Sequence, residues 1–493
     1  MNNNSLSEKT FSGMIWKFAE RILAQLVSTV VAIVLARLLM PEDYAVVSIV
    51  TIFFTFCNLF ISCGLNSALI QKKDSDILDY STILFASLIF AAVLYLVMFF
   101  ASPYIAGLYD QPILVPVIRV MGVSFFINAV KSVVCAKISN DLRFKMFFAA
   151  TLVGTILSAI IGIWMALKGF GAWALIAQQI SNISIDTIIL LAVSRIRFVF
   201  KFSFSRFKKL FSFGFNLFLA GIISTFYDEI RPLIVGIRFS PTDLAFYNKG
   251  MQYPKMIYSA VNDTFASVLF PVMSKVQDDL NAISGMTRKF IRVSSFVVFP
   301  FMLGLFAVSN NLIILLLTEK WSPIIIYVKI FSVISLFTII QKGNLLPIRS
   351  IGRSDLILVL DIIKKIIYLV ILVLFVIFSK KPEVLAVMGI LTNLIAFFIN
   401  SYATQKMINY RIVQQMMDII ENLIPATIMC VIVSLLGRLP LVPIILLCIQ
   451  IITGMMIYCA LGILFKNSSF FYLLGFLKTY CKRIKERSSF ESQ

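Results

Sequence analysis

The chain has 493 residues, a formal net charge of +20 and no histidine, and 60% of its residues are hydrophobic. A soluble domain does not bury so large an apolar fraction, and the composition therefore predicts an all-α polytopic membrane protein. The lack of histidine excludes a Ser-His-Asp triad and a His-ligated metal site. The seven cysteines lie mostly in apolar segments without a C-x-x-C pair, which is typical of small buried residues rather than of disulfides or metal ligands.

Fourteen apolar segments of about 20 residues, the length that spans a hydrocarbon core of about 30 Å, follow one another along the chain. With both termini in the cytoplasm, most of the 44 lysines and arginines fall on the cytoplasmic side, as the positive-inside rule predicts. This explains the net charge without a nucleic-acid partner. The segments are predicted near residues 13–40, 44–70, 80–101, 113–136, 146–167, 172–193, 211–238, 243–271, 289–317, 323–348, 355–379, 384–405, 419–437 and 443–465.

A basic connector follows the sixth segment and begins at Ser194 with the sequence SRIRFVFKFSFSRFKKL. Its alternating phenylalanines and cations favour a segment that lies in the cytoplasmic interface of the membrane, with the charges toward anionic headgroups. A simple solvated loop is the alternative.

An internal repeat is indicated at an offset of 200 residues. Phe11-Ser12 aligns with Phe211-Ser212, and the stretch 41–45 aligns with 241–245. Because each pair occupies the same place in its hairpin, we predict two six-helix halves of like orientation. The predicted organisation is a first lobe at 1–200 with helices 1–6, a second lobe at 201–405 with helices 7–12, and a region at 406–493 with helices 13–14 and a basic cytoplasmic tail.

The stretch 211–271 predicts two membrane helices joined by a short turn, yet it has charges at lipid depth. A charge near the bilayer centre costs about 2.5–3.5 kcal/mol or more, so such residues normally face a bundle interior or a watery cavity. Polar residues on the second helix recur at spacings of three and four, which places them on one face. Helices 1 and 2 have corresponding polar faces.

We therefore predict a polar, partly cationic cavity. Two alternatives stay open, namely ordinary helix contacts through Ser, Thr and Asn side chains, and ion pairs that only hold helices 7 and 8 together. The acids available for ion coupling or charge balance are Glu20, Asp228, Glu229 and Asp263. The residues predicted to bind substrate in the cavity are Arg21, Gln25, Asn58, Asn66, Arg231, Asn248, Lys249, Gln252 and Lys255.

Five stretches are similar, in order and position, to the Wzx-type oligosaccharide-lipid flippases, in the branch that includes the colanic acid exporter. These flippases belong to the multidrug/oligosaccharidyl-lipid/polysaccharide (MOP) exporter superfamily. The likeness runs from near Phe11 to beyond Trp321 and is thinner after about residue 405. The stretches are LARLLMPEDYAVVSIV (35–50), CGLNSALIQKKD (63–74), NDLRFK (140–145), VLFPVMSKVQDD (268–279) and VSNNLIILLLTEKW (308–321).

The resemblance implies a MATE-like fold of 14 helices, in which two six-helix lobes form a V-shaped central cavity and two helices follow at the C-terminus. It implies a flippase that moves an undecaprenyl-diphosphate-linked sugar repeat unit from the cytoplasmic to the periplasmic leaflet of the bacterial inner membrane, for O-antigen, capsule or exopolysaccharide assembly. No bond chemistry is implied, so we expect no catalytic residue, metal or cofactor. H+ or Na+ is the candidate coupling ion, and membrane lipids and other polysaccharide assembly proteins are candidate partners.

Two other functions are compatible with parts of the sequence. A cation-coupled multidrug antiporter of the same superfamily should offer carboxylates and aromatic rings to a cation, whereas the predicted cavity has at least as many cations as acids. A membrane-embedded polysaccharide polymerase or glycosyltransferase would need room for a catalytic site, often in a sizeable extramembrane loop, and the predicted outer connections are short.

Overall fold

A computed structural model describes residue 25 and residues 27–475, except residues 63, 73, 74, 142 and 144. Within these residues the regular elements are all helices, and no strand is present. Ten helices of this part are long and apolar enough to cross a membrane. The prediction of an all-α polytopic membrane protein is therefore confirmed, whereas the count of 14 spans stays a prediction.

The chain divides into two compact units, Met1–Ala245 and Phe246–Gln493. The helices of the first unit are α1 (Val27–Leu38), α2 (Pro41–Ser62), α3 (Leu65–Gln71), α4 (Ile77–Leu108), α5 (Leu114–Met121), α6 (Val123–Asn140), α7 (Lys145–Leu167), α8 (Ala172–Ser194) and α9 (Phe204–Arg238). The helices of the second unit are α10 (Pro241–Lys275, which begins just before the boundary), α11 (Leu280–Leu317), a 3-10 turn (Glu319–Trp321), α12 (Ile324–Ser350), α13 (Ser354–Phe378), α14 (Pro382–Ile408), α15 (Ile412–Leu436) and α16 (Pro443–Leu464). The predicted lobe boundary at residue 200 stays a prediction.

From the second segment onwards, each predicted span coincides with helix. The second span is divided into α2 and α3, and the fourth into α5 and α6 at Gly122. The predicted spans at 211–238, 243–271 and 355–379 are helical as α9, α10 and α13, but they are not among the ten candidate membrane helices. The first predicted span, 13–40, lies partly outside the described residues.

Helices α2 and α10 begin at prolines that align at the offset of 200 residues. Proline is favoured at the first helical position because its missing N–H would have no intrahelical partner there. Asp43 Oδ2 accepts a hydrogen bond from the Met40 N–H at 2.9 Å. Asp243 Oδ2 accepts one from the Ser240 hydroxyl at 2.7 Å. The aligned positions thus have the same local structure, a proline followed by an acid near the positive end of the helix dipole.

Helix α9 packs within the first unit. Its residues Leu210 and Phe218 join a buried cluster with Leu65 of α3 and with Tyr80 and Leu84 of α4. These side chains hold α9 against α3 and α4 through van der Waals packing. The helix after the connector is therefore held by the core of the first unit.

The approach of α3 to α9 depends on glycine. Gly64 has a φ of 67°, which is accessible to glycine at little cost. A Cβ atom at Gly64 would lie 2.3 Å from the carbonyl oxygen of Gly214 on α9. Both the backbone conformation and the close backbone contact therefore require glycine at this position.

In the second unit, α11, α12, α15 and α16 share one buried core. Phe290 and Met302 of α11 pack there with Ile339 of α12 and Met429 of α15. The core also includes Tyr458 of α16, whose hydroxyl donates to the Phe296 carbonyl at 2.9 Å. The polar end of this aromatic residue is thus satisfied inside the apolar core.

A buried carboxylate joins α11 to α15. Asp418 is 3% exposed and accepts two hydrogen bonds from Arg288, at 2.7 and 3.0 Å. The Tyr410 hydroxyl donates to the same carboxylate at 2.7 Å. Burial, and then the hydrogen bond to Asp418, raises the pKa of the Tyr410 phenol above its ordinary value. The hydroxyl therefore remains a donor throughout the physiological pH range.

The same face of α15 forms hydrogen bonds with the residues that follow α16. Arg292 pairs with Glu421, and Glu421 Oε1 accepts hydrogen bonds from the backbone N–H and the hydroxyl of Ser468. Asn422 Oδ1 accepts from Asn467 Nδ2 at 2.8 Å. This network ties three parts of the second unit together through polar side chains.

We predict that Gly64→Ala strongly lowers the amount of folded protein in the membrane, because the methyl group would enter the backbone of α9. The control is Gly352→Ala, since Gly352 has a φ of 82° but a Cβ added there would meet nothing within 4 Å. The control should lose only the cost of the left-handed backbone, about 1–2 kcal/mol. Melting of detergent-solubilised protein compares the two variants, and equal losses would refute a steric requirement at Gly64.

We predict that Arg288→Gln lowers the melting temperature of the purified protein and that adding Asp418→Asn restores part of the loss. The first change leaves a buried carboxylate with fewer partners, which is costly, and the second removes that charge. Arg353→Gln is the matched control, because Arg353 forms a similar pair with Asp355 on the exposed surface, where ion pairs contribute about 0–1 kcal/mol. A further loss of stability in the double variant would contradict this account.

Candidate functional site

Helix α10 exposes a polar face near its middle. Between Pro241 and Ser259, its exposed side chains are Gln252 and Lys255. These residues are three apart and therefore lie on the same side of the helix. Helix α7 differs, because its exposed side chains, such as Ile156, Ile160 and Trp164, are apolar.

The contrast indicates what surrounds the exposed face of α10. A helix that contacts lipid exposes apolar side chains, whereas a lysine at lipid depth normally faces water or protein. Lys255 supplies a positive charge with three N–H donors, and the Gln252 amide supplies donors and an acceptor. Together they can bind a group that has negative charge and hydroxyls.

Lys249 has a different environment on the same helix. It is 6% exposed, and its Nζ lies 5.9 Å from the centre of the Trp321 ring. Next to it, Tyr247 packs edge-on against Phe331, and a Cβ at Gly250 would meet the Tyr327 side chain at 2.4 Å. This side of α10 packs within the second unit, and the structure therefore places Lys249 and Lys255 on different faces.

Two other predicted residues of α10, Asn248 and Asp263, lie on either side of the exposed pair along the helix. Asn248 is half-buried, one turn before Gln252. Asp263 is also half-buried, and its Oδ1 accepts a hydrogen bond from Asn262 Nδ2 at 3.1 Å. The amide and carboxylate thus form one polar group about two turns beyond Lys255.

The three predicted charges of α9 lie close together in sequence, just before Pro232, which is within the helix. Asp228 is exposed, and Glu229 and Arg231 are half-buried. They belong to the first unit, and the exposed pair of α10 belongs to the second. That these charges of α9 meet the lysines of α10 stays a prediction.

Some of the predicted amide side chains of the first unit form hydrogen bonds within that unit. Asn58 Oδ1 accepts a hydrogen bond from Asn128 Nδ2 of α6 at 3.2 Å. The Asn66 Oδ1 atom is buried without a hydrogen-bond partner among the described residues. Gln25 is exposed, and its carbonyl accepts from the Thr29 hydroxyl at 2.7 Å. Glu20 and Arg21 lie outside the described residues.

One charged pair was not anticipated from the sequence. Lys131 of α6 forms an ion pair with Asp186 of α8, and the second carboxylate oxygen of Asp186 has no hydrogen-bond partner in the described part of the chain. Both residues lie inside predicted spans, so the signal was a charge at lipid depth in each of two apolar segments. The first unit thus has its own internal charge pair.

The chain matches the polysaccharide biosynthesis protein family over residues 34–326. Among characterised relatives, the succinoglycan biosynthesis transport protein ExoT of Rhizobium meliloti (strain 1021) is 24% identical over 59% of this chain and 58% of that protein. The lipopolysaccharide biosynthesis protein WzxC of Escherichia coli (strain K12) is 22% identical over 74% of this chain and 75% of that protein. More than a third of ExoT thus lies outside its alignment.

Solved structures show the same fold. The lipid II flippase MurJ, in an inward closed conformation, matches with a TM-score of 0.73 over 93% of this chain and 99% of that protein, at 14% identity. A multidrug resistance MATE family transporter of the MOP superfamily, in an inward-facing conformation, matches with a TM-score of 0.60 over 80% of this chain and 98% of that protein, at 15% identity. The resemblance to MOP-superfamily flippases is confirmed, and the chain belongs to the polysaccharide biosynthesis protein family.

Proposed function

We propose that the protein is a flippase for a lipid-linked oligosaccharide. Its family is one of polysaccharide biosynthesis, one relative is named a transport protein, and its fold is that of a lipid II flippase. The substrate is an undecaprenyl-diphosphate-linked sugar repeat unit, which moves from the cytoplasmic to the periplasmic leaflet of the inner membrane. The translocated repeat unit is then used for O-antigen, capsule or exopolysaccharide assembly.

The exposed polar face of α10 is the observation that supports this proposal most directly. A diphosphate needs fixed cations, which Lys255 provides, and sugar hydroxyls need amide partners such as Gln252. The C55 chain of the substrate stays in the lipid while the head group passes through the protein. Two lobes, at 1–200 and 201–405, alternate access to the head group.

The acids of the predicted cavity have a balancing role in this proposal. Asp228 and Arg231 are three residues apart on α9, which is the spacing of a helical ion pair. When the diphosphate arrives, it takes the place of the acids beside the cations. Protonation or Na+ binding at Asp228, Glu229 or Asp263 would then couple an ion gradient to the cycle.

The multidrug antiporter is the second candidate, because a MATE transporter has a similar fold. The fold alone therefore does not separate the two functions. The exposed charge on the middle of α10 is a lysine, which repels a cationic drug and attracts an anionic head group. This charge, together with the family, favours the flippase over the antiporter.

We predict that Lys255→Gln lowers surface polysaccharide by about tenfold or more while the protein accumulates normally, because hydrogen bonds to charged groups typically contribute about 1.5–3 kcal/mol. Lys255→Arg should retain most export, since it keeps the charge. Export is measured in cells that have the variant as their sole copy, together with the amount of protein in the membrane. Replacing Lys255 is a sharper test than replacing Lys249. Lys249 is buried beside Trp321, so its replacement would also disturb folding.

The matched control is Lys380→Gln, which removes an exposed lysine from a short turn. It should leave export unchanged. Normal export by the Lys255→Gln variant would refute the proposed site. Normal polysaccharide together with lost drug resistance would favour the antiporter.

We also predict the orientation of the chain from the distribution of its cations. In a chain whose native cysteines are replaced by serine, Lys380→Cys should react with a membrane-impermeant maleimide in intact spheroplasts. Lys201→Cys in the connector should react only after lysis. Both side chains are exposed, so a difference reports the side of the membrane, and the reverse pattern would overturn the proposal that both termini are cytoplasmic.

A further inference from the structure

The connector, residues 195–203, joins α8 to α9. Its inner side, and that of the first turns of α9, packs against the core of the first unit. Ile196 and Phe198 pack against the cluster that includes Leu65 and Tyr80. Phe207 of α9 joins the same cluster. The segment is therefore a packed element of the fold and not a loose loop.

Polar contacts fix the connector to the start of α4. The Val199 N–H donates to the Ser81 hydroxyl at 2.9 Å, and the Ser203 N–H donates to the Thr82 hydroxyl at 3.3 Å. A segment without regular structure thus has hydrogen-bond partners for two of its backbone N–H groups. The register of the connector on α4 is set by these two adjacent hydroxyls.

An ion cluster holds the segment just beyond the connector. Arg206 donates to Asp76 and to Asp79, and Asp79 also pairs with Lys72. The hydrogen bond from Arg206 lowers the pKa of the Asp76 carboxyl to about 2. Asp76 therefore stays charged across the pH range of a cell, and Arg206 is occupied within the fold.

The outer side of the segment has a different composition. Phe200 is 93% exposed, and Phe202 and Phe204 are also exposed. Five exposed cations flank these phenylalanines in the sequence, and none of them forms an ion pair with a described residue. They are Arg195, Arg197, Lys201, Lys208 and Lys209.

We propose that this outer side binds the anionic headgroups of phospholipids at the membrane surface. The segment directly follows α8, a candidate membrane helix, so it lies where the chain leaves a bilayer. Phenylalanine rings in water are unfavourable, and they are stabilised when they enter the boundary of the acyl chains.

The two kinds of side chain together select a lipid. A soluble anion such as phosphate would neutralise the cations and leave the phenylalanines in water. An anionic phospholipid satisfies both, because its headgroup meets the cations and its acyl chains meet the rings. The proposal is independent of the transported substrate, since it concerns a surface on the outside of the first unit.

The test is competitive lipid binding to the full-length protein in detergent. Equimolar phosphatidylglycerol and phosphatidylcholine are added, and native mass spectrometry counts the lipids that each variant retains. The wild-type protein should favour phosphatidylglycerol. The variant with all five outer cations changed to glutamine should lose about threefold or more of that preference, because each cation near an anionic surface contributes to binding.

The matched control removes five exposed cations that lie elsewhere, so that the net charge falls by the same amount. It should keep the wild-type preference. An equal loss in both variants would show a general charge effect and overturn the proposal, as would an unchanged preference in the connector variant. The control positions are Lys168, Arg238, Lys380, Lys381 and Arg438, each changed to glutamine.

A second arm separates a lipid from a free anion. Phe200→Ser with Phe204→Ser should lower retention of phosphatidylglycerol, and inorganic phosphate at the same concentration should not displace the lipid. If this variant retained phosphatidylglycerol fully, or if phosphate displaced the lipid, the segment would be a site for any anion and the proposal would be refuted. Melting temperatures confirm that each variant is folded, and Arg197→Gln with Lys201→Gln replaces the fivefold variant should that chain melt early.

Discussion

The interior of this protein depends on one constraint, which is that a polar group in apolar surroundings costs free energy unless it finds a partner or faces water. The contact between α12, α14 and α15 illustrates it. Asn344 Nδ2 donates to Ser401 and to Gln415, at 3.1 and 3.0 Å, and Gln415 in turn donates to the Tyr410 carbonyl. Polar side chains thus join helices that apolar contacts alone would leave free to slide, because lipid solvates apolar surfaces as well as another helix does.

The same constraint gives α10 its two-sided character. Lys249 and Lys255 are six residues apart, which corresponds to about 120° around a helix. One of them lies against the aromatic ring of Trp321, and the other lies beside Gln252 on an exposed face. A single helix therefore combines a packing surface and a polar exposed surface, and the chemistry of each lysine follows from the side on which it lies.

Helix positions could be predicted from the sequence because the length of an apolar segment and the turn residues at its ends are local features of the chain. The predicted spans begin at residues 44 and 243, two or three residues after the prolines at which α2 and α10 begin. The face of α10 that is exposed could not be predicted, because a periodic polar pattern does not say which neighbour covers the helix. Both Lys249 and Lys255 were predicted as cavity residues, whereas the burial of Lys249 beside the Trp321 ring separates it from the exposed Lys255.

Pairs that are distant in sequence were also beyond prediction. Arg288 and Asp418 are 130 positions apart, and nothing in either local pattern identifies the other as its partner. The charges themselves were visible, as they were for Lys131 and Asp186. What the sequence lacks is the packing of the helices that bear them.

The packing of α9 has a consequence for how the halves of the chain depend on each other. The predicted sequence repeat begins again near residue 200, but α9 contributes Phe218 to the core around Leu65 and Tyr80. A fragment that ended at residue 200 would leave this apolar surface uncovered, and a fragment that began there would have a first helix without its core partners. The predicted repeat unit at 1–200 is thus not expected to fold alone, and the two halves produced as separate chains should fold only when they are produced together.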